Sequence, residues 1–339
     1  VTMVCCFFAF IVVFLLFPLY YAVRYLWELL PVDNLSKKAV FITGCDSGFG
    51  RTLAIKCAGS GMYVFAGCLT EQGAKSIEAD AALLEGTVIT VMIDVTKDDS
   101  VKKAADFVKK RLTPGISLWA VVNNAGIFAT YGPDDWCSVE DYKRALNVNT
   151  FGIIRVSQAF KALLKQSKGR IISVTSVAGR VSLPYAGPYS VGKFASEAYM
   201  DCIRLELKPF GVTCCILEPG IFKTGLIDRD AMKQRIDGVW NKLTEEQRED
   251  YGVAFKDSFA THWSDLFNDL SSEHVEYVVD SYYHAITARF PRYRYRCGWD
   301  ALLFFIPITY FPTEIVDLAM KYFFEPKVKP DAVENERCK

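Results

Sequence analysis

The sequence predicts a doubly wound α/β fold: one parallel sheet with helices on both faces, in a single domain, with a transmembrane helix before it and an apolar helical extension after it. Three observations predict it. Six short runs, residues 39–43, 63–67, 88–94, 118–123, 170–175 and 212–218, are rich in Val, Ile and Ala and almost free of charge, as strands buried on both faces are. Helix-like stretches at 50–58, 98–111, 139–164 and 189–208 separate them, which implies right-handed crossovers between parallel strands. A glycine-rich turn, "TGCDSGFG", stands between the first run and the first helix, where α/β folds bind phosphates.

Taken in order, residues 1–23 carry no charge. As a helix rising about 1.5 Å per residue they would span roughly 35 Å, enough for a hydrocarbon core of about 30 Å. They read as a single-pass anchor, kinked at Pro18 and followed by an interfacial belt of Arg24, Tyr25 and Trp27. No basic n-region or small-residue cleavage site marks a signal peptide. Arg24, Lys37 and Lys38 follow the span and nothing basic precedes it, which leans toward a cytosolic domain and leaves the facing side open. Residues 24–38 form a linker and 39–298 the sheet domain. Within it, 219–288 carries charged helical patterns such as "LTEEQREDYG" and no convincing strand, as an insertion or lid over the substrate would. "PRYRYRCG", 291–298, reads as a last strand whose arginines place it at an edge. Residues 299–324 are apolar but broken by Asp300, Pro307, Pro312, Glu314 and Asp317. The stretch 299–339 is therefore a membrane-associated extension, built as an interfacial helix pair or a docked cover rather than a second span, and its tail from Glu325 is polar and loose.

Composition excludes several function classes. Lys plus Arg equals Asp plus Glu at 39 each, so nothing favours a polyanion, and nucleic acid is not a partner. The 11 cysteines are scattered without Cys-x-x-Cys spacing; no metal site is expected, and most read as small buried apolar residues.

In "VFITGCDSGFG", Thr43, Gly44, Gly48 and Gly50 close the first strand and open a helix. Glycines there allow positive φ and close backbone approach, and the helix N-terminus offers free N–H groups to a pyrophosphate. Asp46 and Ser47 lie in the same turn. A second constellation, "TSVAGRVSLPYAGPYSVGKF", holds Ser176, Tyr189 and Lys193, with no histidine nearby. Tyr189 and Lys193, four residues apart, share one helix face. In a chain with 17 tyrosines such a pair arises by chance about once, so context carries the weight. A free phenol, with a pKa of about 10, exchanges protons poorly at neutral pH. An ammonium about 4 Å away would favour the phenolate by roughly 4 kcal/mol and bring Tyr189 near neutrality. Ser176 could hold the substrate oxygen, and together the three suit proton transfer at an alcohol or carbonyl beside a hydride-carrying cofactor.

These motifs, with "NNAG" at 123–126, "NVNTFG" at 147–152 and "EPGIFKT" at 218–224, resemble those of the short-chain dehydrogenases/reductases in type and order. The resemblance implies a Rossmann-type sheet and a catalytic set of Asn149, Ser176, Tyr189 and Lys193. Asn149, preferred over Asn147, would anchor a water relaying protons to Lys193, which would also bind the nicotinamide ribose, as Tyr189 adjoins it. The cofactor would further meet Thr43, Gly44, Asp46, Ser47, Gly48, Gly50, Asp94, Asn123, Ala125, Gly126, Pro219, Gly220 and Thr224.

Within the family the match is closest to the membrane-bound retinol and 17β-hydroxysteroid dehydrogenases, carried by "FITGCDSGFG", "CLTEQGA", "LNVNTFG", "ITARFPRYRY" and "GWDALLFFIPITYFP". This implies a lipophilic alcohol as substrate, the bilayer as partner, the endoplasmic reticulum membrane as location, and a homodimer made by the long helices. NAD is expected over NADP, because "GCLT" ends the second strand without a cation and Asp46 would repel a 2′-phosphate; Arg51 alone argues the other way. Two alternatives remain: a 3-hydroxybutyrate-type dehydrogenase using Lys223, Arg229 or Lys233 for the substrate anion, and a non-catalytic nucleotide- or lipid-binding relative.

Overall fold

The computed structural model describes the backbone of residues 2–225 and 228–337 and the side chains of 14–225 and 228–334. An N-terminal helix α1 (Thr2–Glu28) precedes an alternating series: β1 (Lys38–Thr43), α2 (Gly48–Gly59), β2 (Tyr63–Cys68), α3 (Glu71–Ala81), β3 (Thr87–Met92), α4 (Asp98–Arg111) and β4 (Ser117–Asn123). There follow α5 (Val139–Asn149), α6 (Phe151–Ser167), β5 (Arg170–Val174), α7 (Gly187–Leu207) and β6 (Thr213–Pro219). The chain continues through α8 (Arg229–Trp240), α9 (Glu245–Leu270), α10 (Glu276–Thr287) and β7 (Arg294–Cys297), then α11 (Ile306–Ile308), α12 (Thr313–Phe324) and α13 (Asp331–Arg337).

All seven strands form one parallel sheet in the order β3-β2-β1-β4-β5-β6-β7. Strand order reverses between β1 and β4, the position at which α/β sheets open a ligand crevice. Side chains alternate across the sheet, and both faces are apolar. Val40 and Ile42 pack with α2 and α10 on one side, through Leu53, Val278 and Tyr282. Ala39 and Phe41 pack with α4, α6 and α7 on the other, through Val108, Phe160 and Ile203. A third, aromatic cluster lies beyond the strand ends, where Trp136, Trp240, Phe259, Trp263 and Phe324 from α8, α9, α12 and a neighbouring turn bury one another.

Several elements differ from expectation. The expected helix at 139–164 is interrupted at Thr150 (φ −111°, ψ −62°). Tertiary bonds to α7 break it: the Thr150 hydroxyl donates to the Gly192 carbonyl at 2.7 Å, and the Asn149 carbonyl accepts from Ser196 at 2.8 Å. The helix α3 was not expected from its weak apolar face of Ala74, Ile77 and Ala81. Residues 219–288 are not all an insertion. Val278, Val279, Tyr282, Ala285 and Ile286 of α10 belong to the main core, so α10 is a layer helix leading into β7. The tail is not loose throughout: α13 is helical, and a Cβ at Gly252, where α9 bends, would collide with the Asp331 carboxylate. The π turn at Ala301–Phe305 and α12 dock as a cover through Phe305, Ile308, Met320 and Phe324, while Trp299, Leu303, Tyr310, Leu318 and Tyr322 face outward. Among the described residues no helix is long and apolar enough to cross a membrane. The expected anchor falls on α1, and its side chains at 1–13 lie outside the described residues.

One buried cation ties α10 to the sheet. Arg170, 3% exposed at the start of β5, donates to the carbonyls of Ala285 and Ile286 in the last turn of α10 and of Ala288 just beyond it, and stacks 4.8 Å from the Trp119 ring. These carbonyls have no helical partner of their own. Replacing Arg170 with Met should lower unfolding stability by about 2–4 kcal/mol, measured as a reduced urea midpoint at unchanged slope; a shift too small to resolve would show that the helix end is satisfied without it.

Candidate active site

At the reversal in strand order lies a cleft of about 570 Å³, lined by the segments that leave the C-terminal ends of β1 to β6. Its first half is built from the glycine-rich turn. Gly44 has φ +71°, and a Cβ there would stand 2.9 Å from the Ala125 Cα, so only glycine lets the turn and the "NNAG" segment touch. Thr43 holds the two together: its hydroxyl accepts from the N–H groups of Asn124 and Ala125 at 3.0 and 3.1 Å. Asn124 returns the contact by donating to the carbonyls of Thr43 and Gly44 at 3.0 and 3.1 Å. Ser47 precedes α2 without capping it by its side chain, so the N–H groups of the first helical turn face the cleft unclaimed by a side chain.

Asp46 bridges this turn to the end of β2. Its carboxylate accepts from the N–H groups of Leu69 and Thr70, both at 2.9 Å, and from the Thr70 hydroxyl at 2.7 Å. Gly73 is required opposite it, since a Cβ there would lie 2.5 Å from Asp46 Oδ1. Burial alone would raise the Asp46 pKa, but these donors hold it below the ordinary carboxylate value. Asp94, after β3, is lowered in the same way, with the Thr96 hydroxyl and N–H outweighing burial.

The second half of the cleft holds Ser176, Tyr189 and Lys193. Ser176 follows β5, and its hydroxyl accepts from the Ala178 N–H at 3.1 Å. Tyr189 and Lys193 lie on α7 as their spacing predicts, with the Lys193 Nζ 5.5 Å from the Tyr189 ring centre. The Phe128 ring stacks on Tyr189 at 4.2 Å and 12°, and on Tyr131 beyond it at 4.2 Å. Asn149, fully buried, stands behind the wall: its side chain accepts from the Ile127 N–H and donates to the Ile127 carbonyl, each at 2.9 Å. It is close to Lys193 all the same, since a Cβ on Gly126 would be 3.3 Å from the Asn149 Oδ1 and 3.7 Å from the Lys193 Nζ.

The electrostatics of the pair differ from expectation. Tyr189 is not brought near neutrality. Burial pushes its phenol up to about 12, against a hydrogen bond with Ser176 that lowers it. Lys193 is pushed down to about 8, by burial, against the charge of Glu197. The ammonium donates to the Val174 carbonyl at 3.2 Å, and burial penalises both charged forms at once.

Of the other expected cofactor contacts, Gly44, Asp46, Ser47, Gly48, Asp94, Ala125, Gly126, Pro219, Gly220 and Thr224 line the cleft. Thr43, Gly50 and Asn123 are not on its wall. Thr43 works through its hydroxyl, and Gly50 packs against Asn124 and the Gly44 carbonyl. Asn123, 2% exposed, donates to Ser157 and Ser173, both at 3.0 Å. Sequence reasoning passed over Asn124 and Phe222, although "NNAG" and "EPGIFKT" contain them, and Phe128 and Phe267, which line the cleft and carry no motif of their own.

A family model for short chain dehydrogenases matches residues 38–235. The chain is 46% identical over 319 residues to a 3beta-hydroxysteroid dehydrogenase of Caenorhabditis elegans, covering 91% of this chain and 82% of that one. It is 40% identical over 299 residues to retinol dehydrogenase 7 of Rattus norvegicus, covering 86% and 92%. A short chain dehydrogenase/reductase from Burkholderia phymatum, solved in complex with NAD, has the same fold with a TM-score of 0.67 at 23% identity, covering 85% and 97%.

The buried lysine sets a measurable cost. Because its folded pKa of about 8 lies below the ordinary 10.5, the unfolded chain holds the proton more tightly between those values. The penalty is therefore complete below pH 8 and fades as pH rises toward 10.5. Removing the buried ammonium by Lys193→Met should make the protein's stability less dependent on pH between 8 and 10, so that chemical denaturation at a series of pH values shows the wild type gaining on the variant as pH rises toward 10.

Proposed function

The chain belongs to the short-chain dehydrogenases, and from that premise we propose that it is an NAD-dependent, membrane-anchored oxidoreductase interconverting a lipophilic alcohol, a retinol or a hydroxysteroid, with its aldehyde or ketone. The observation that carries the substrate class is the far half of the cleft. Beyond Ser176 and Tyr189 the wall is Phe128, Val177, Leu183, Ile221 and Phe267, without a charged side chain among the described residues. A hydroxy-acid substrate would need a cation there. Lys223 is paired with Glu273 at 2.7 Å, Arg229 with Asp265 at 2.6 Å, and neither these nor Lys233 lines the cleft.

The first half of the cleft fits a dinucleotide: a glycine turn in close contact with "NNAG", uncapped N–H groups at α2, and two ionised carboxylates at the strand ends. When bound, a nicotinamide dinucleotide supplies hydride acceptance and return at its ring C4. Asp46, fixed at the end of β2, supports NAD, since a 2′-phosphate beside it would meet a like charge. Arg51, the cation that could have reversed this preference, is engaged with Asp80 at 2.5 Å and with Ser76 at 2.9 Å.

In the oxidative direction Tyr189, as phenolate, removes the hydroxyl proton, and Ser176 donates a hydrogen bond to the same oxygen. Lys193 stabilises the phenolate and holds the cofactor ribose, and Asn149, through its place beside Lys193, anchors the proton relay. Exposed apolar side chains support a lipid-facing placement of α1, from Phe14 to Trp27, with Leu29 and Leu30 just after it, and of the surface formed by Trp299, Leu303, Tyr310, Leu318 and Tyr322. A location at the endoplasmic reticulum membrane is part of the same proposal and is carried by the resemblance to the membrane-bound retinol and hydroxysteroid dehydrogenases.

Tyr189→Phe should cut turnover by about a thousandfold or more while leaving NAD affinity within a few fold. The assay is NADH formation by membranes carrying the protein, with retinols, hydroxysteroids and 3-hydroxybutyrate in turn; normal turnover by the variant, or reaction with 3-hydroxybutyrate alone, overturns the proposal. Asp46→Ala should shift the NAD-to-NADP preference by about tenfold toward NADP, read as the ratio of kcat/KM values.

A further inference from the structure

The arginines of "PRYRYRCG" stand in β7, at the edge of the sheet, where long cations ordinarily reach water. Arg294 instead turns inward among three acids. Its Nη1 pairs with both Glu197 and Glu218, and its Nη2 meets Asp201 at 2.5 Å. Arg180 adds a second cation, donating to Glu218 Oε1 at 2.8 Å. Glu218 has no exposed surface, and Glu197 is 5% exposed.

Each of the two buried carboxylates is built into a segment that carries the active site. Glu197 lies one helical turn beyond Lys193 on α7 and accepts the hydroxyl of Thr175, the residue before Ser176. Thr175 in turn bonds the Leu217 carbonyl through its N–H at 2.8 Å. Glu218 is followed by Pro219, whose carbonyl accepts from the Ser176 hydroxyl at 3.5 Å. One guanidinium therefore fastens the ends of β5 and β6 and the third turn of α7, the one after Lys193, to one another. Burying carboxylates is costly and gives no stability that apolar packing could not match, so a positional role accounts better for their presence.

We propose that Arg294, Glu197 and Glu218 are positioning residues that fix Lys193 relative to Ser176 and, through the Glu197 carboxylate, keep the lysine ammonium protonated in the buried site. The inference rests on the reading of Tyr189 and Lys193 as the proton-transfer pair. Tyr189 lies beside Lys193 on α7, and the charge that acts on Lys193 is Glu197, one turn further on; Glu197 faces Arg294 on β7, which also meets Asp201 on α7 and Glu218 at the end of β6, and Arg180 and Arg296 approach Glu218 in turn. Burial lowers Lys193 and raises Glu197; Glu197 opposes the first shift and Arg294 the second, so the charges support one another in sequence.

The test uses the full-length protein in membranes and two readouts. Competitive labelling with acetic anhydride followed by peptide mapping gives the titration midpoint of Lys193 without turnover, and steady-state kinetics with the alcohol used by the wild type gives kcat and KM. Glu197→Gln, nearly isosteric and still able to accept from Thr175, should lower that midpoint by about one pH unit and kcat by about tenfold, with the KM for NAD within twofold. Arg294→Met should do the same and Arg294→Lys should recover most of the loss; should the Met variant not fold, Glu197→Gln carries the test. An unchanged Lys193 midpoint and unchanged kcat per folded molecule in Glu197→Gln overturn the proposal. Absence of any alcohol turnover by the wild type would defeat the functional reading instead, and the labelling midpoint would still decide whether the network acts on Lys193.

Discussion

The constraint on which everything else depends is that all seven strands run the same way. A parallel strand cannot be followed by a hairpin; the chain must cross back through a helix before the next strand begins. Every segment leaving a strand therefore emerges at the same edge of the sheet. The glycine turn after β1, Asp94 after β3, "NNAG" after β4, Ser176 after β5 and Pro219 after β6 meet there although they are spread over well over a hundred residues. The reversal of order between β1 and β4 then opens the crevice that these segments share.

The same geometry explains which parts of the fold were legible in the sequence. Buried parallel strands need apolar residues on both faces, so β1, β2, β4, β5 and β6 announce themselves as short, nearly uncharged runs, as does the half-buried edge strand β3, and the glycine turn and the Tyr189–Lys193 spacing are local patterns. What sequence could not give is decided by contacts distant in the chain. Thr150 has no local reason to interrupt a helix; its hydroxyl is drawn to Gly192 on α7. α10 reads as one more charged helical stretch until Arg170 is found capping its end from β5. Asn123 and Asn124 are neighbours of one residue type, yet one is turned inward to Ser157 and Ser173 and the other outward to the glycine turn.

The electrostatics of the cleft follow from packing it so tightly. A phenol and an ammonium are both held where their charged forms are disfavoured, at about 12 and about 8. At neutral pH the ligand-free pair is thus a neutral phenol beside an ammonium held at the expense of its burial, and in the proposed reaction a phenolate formed there would offset that ammonium's charge as the ammonium offsets its own. The edge strand contributes to the same balance from behind, where Arg294 offsets the negative charge of Glu197 and Glu218.

The docked cover has a consequence for the order in which the molecule can be completed. Phe324 of α12 packs 5.9 Å from the Trp263 ring, and Met320 and Phe305 bury beside it in the aromatic cluster that walls the cleft's far side. These residues leave the ribosome after every strand of the sheet. A growing chain can therefore finish its dinucleotide half while the other half still lacks a wall, and during that interval its aromatic interior is open to water, to lipid and to chaperones.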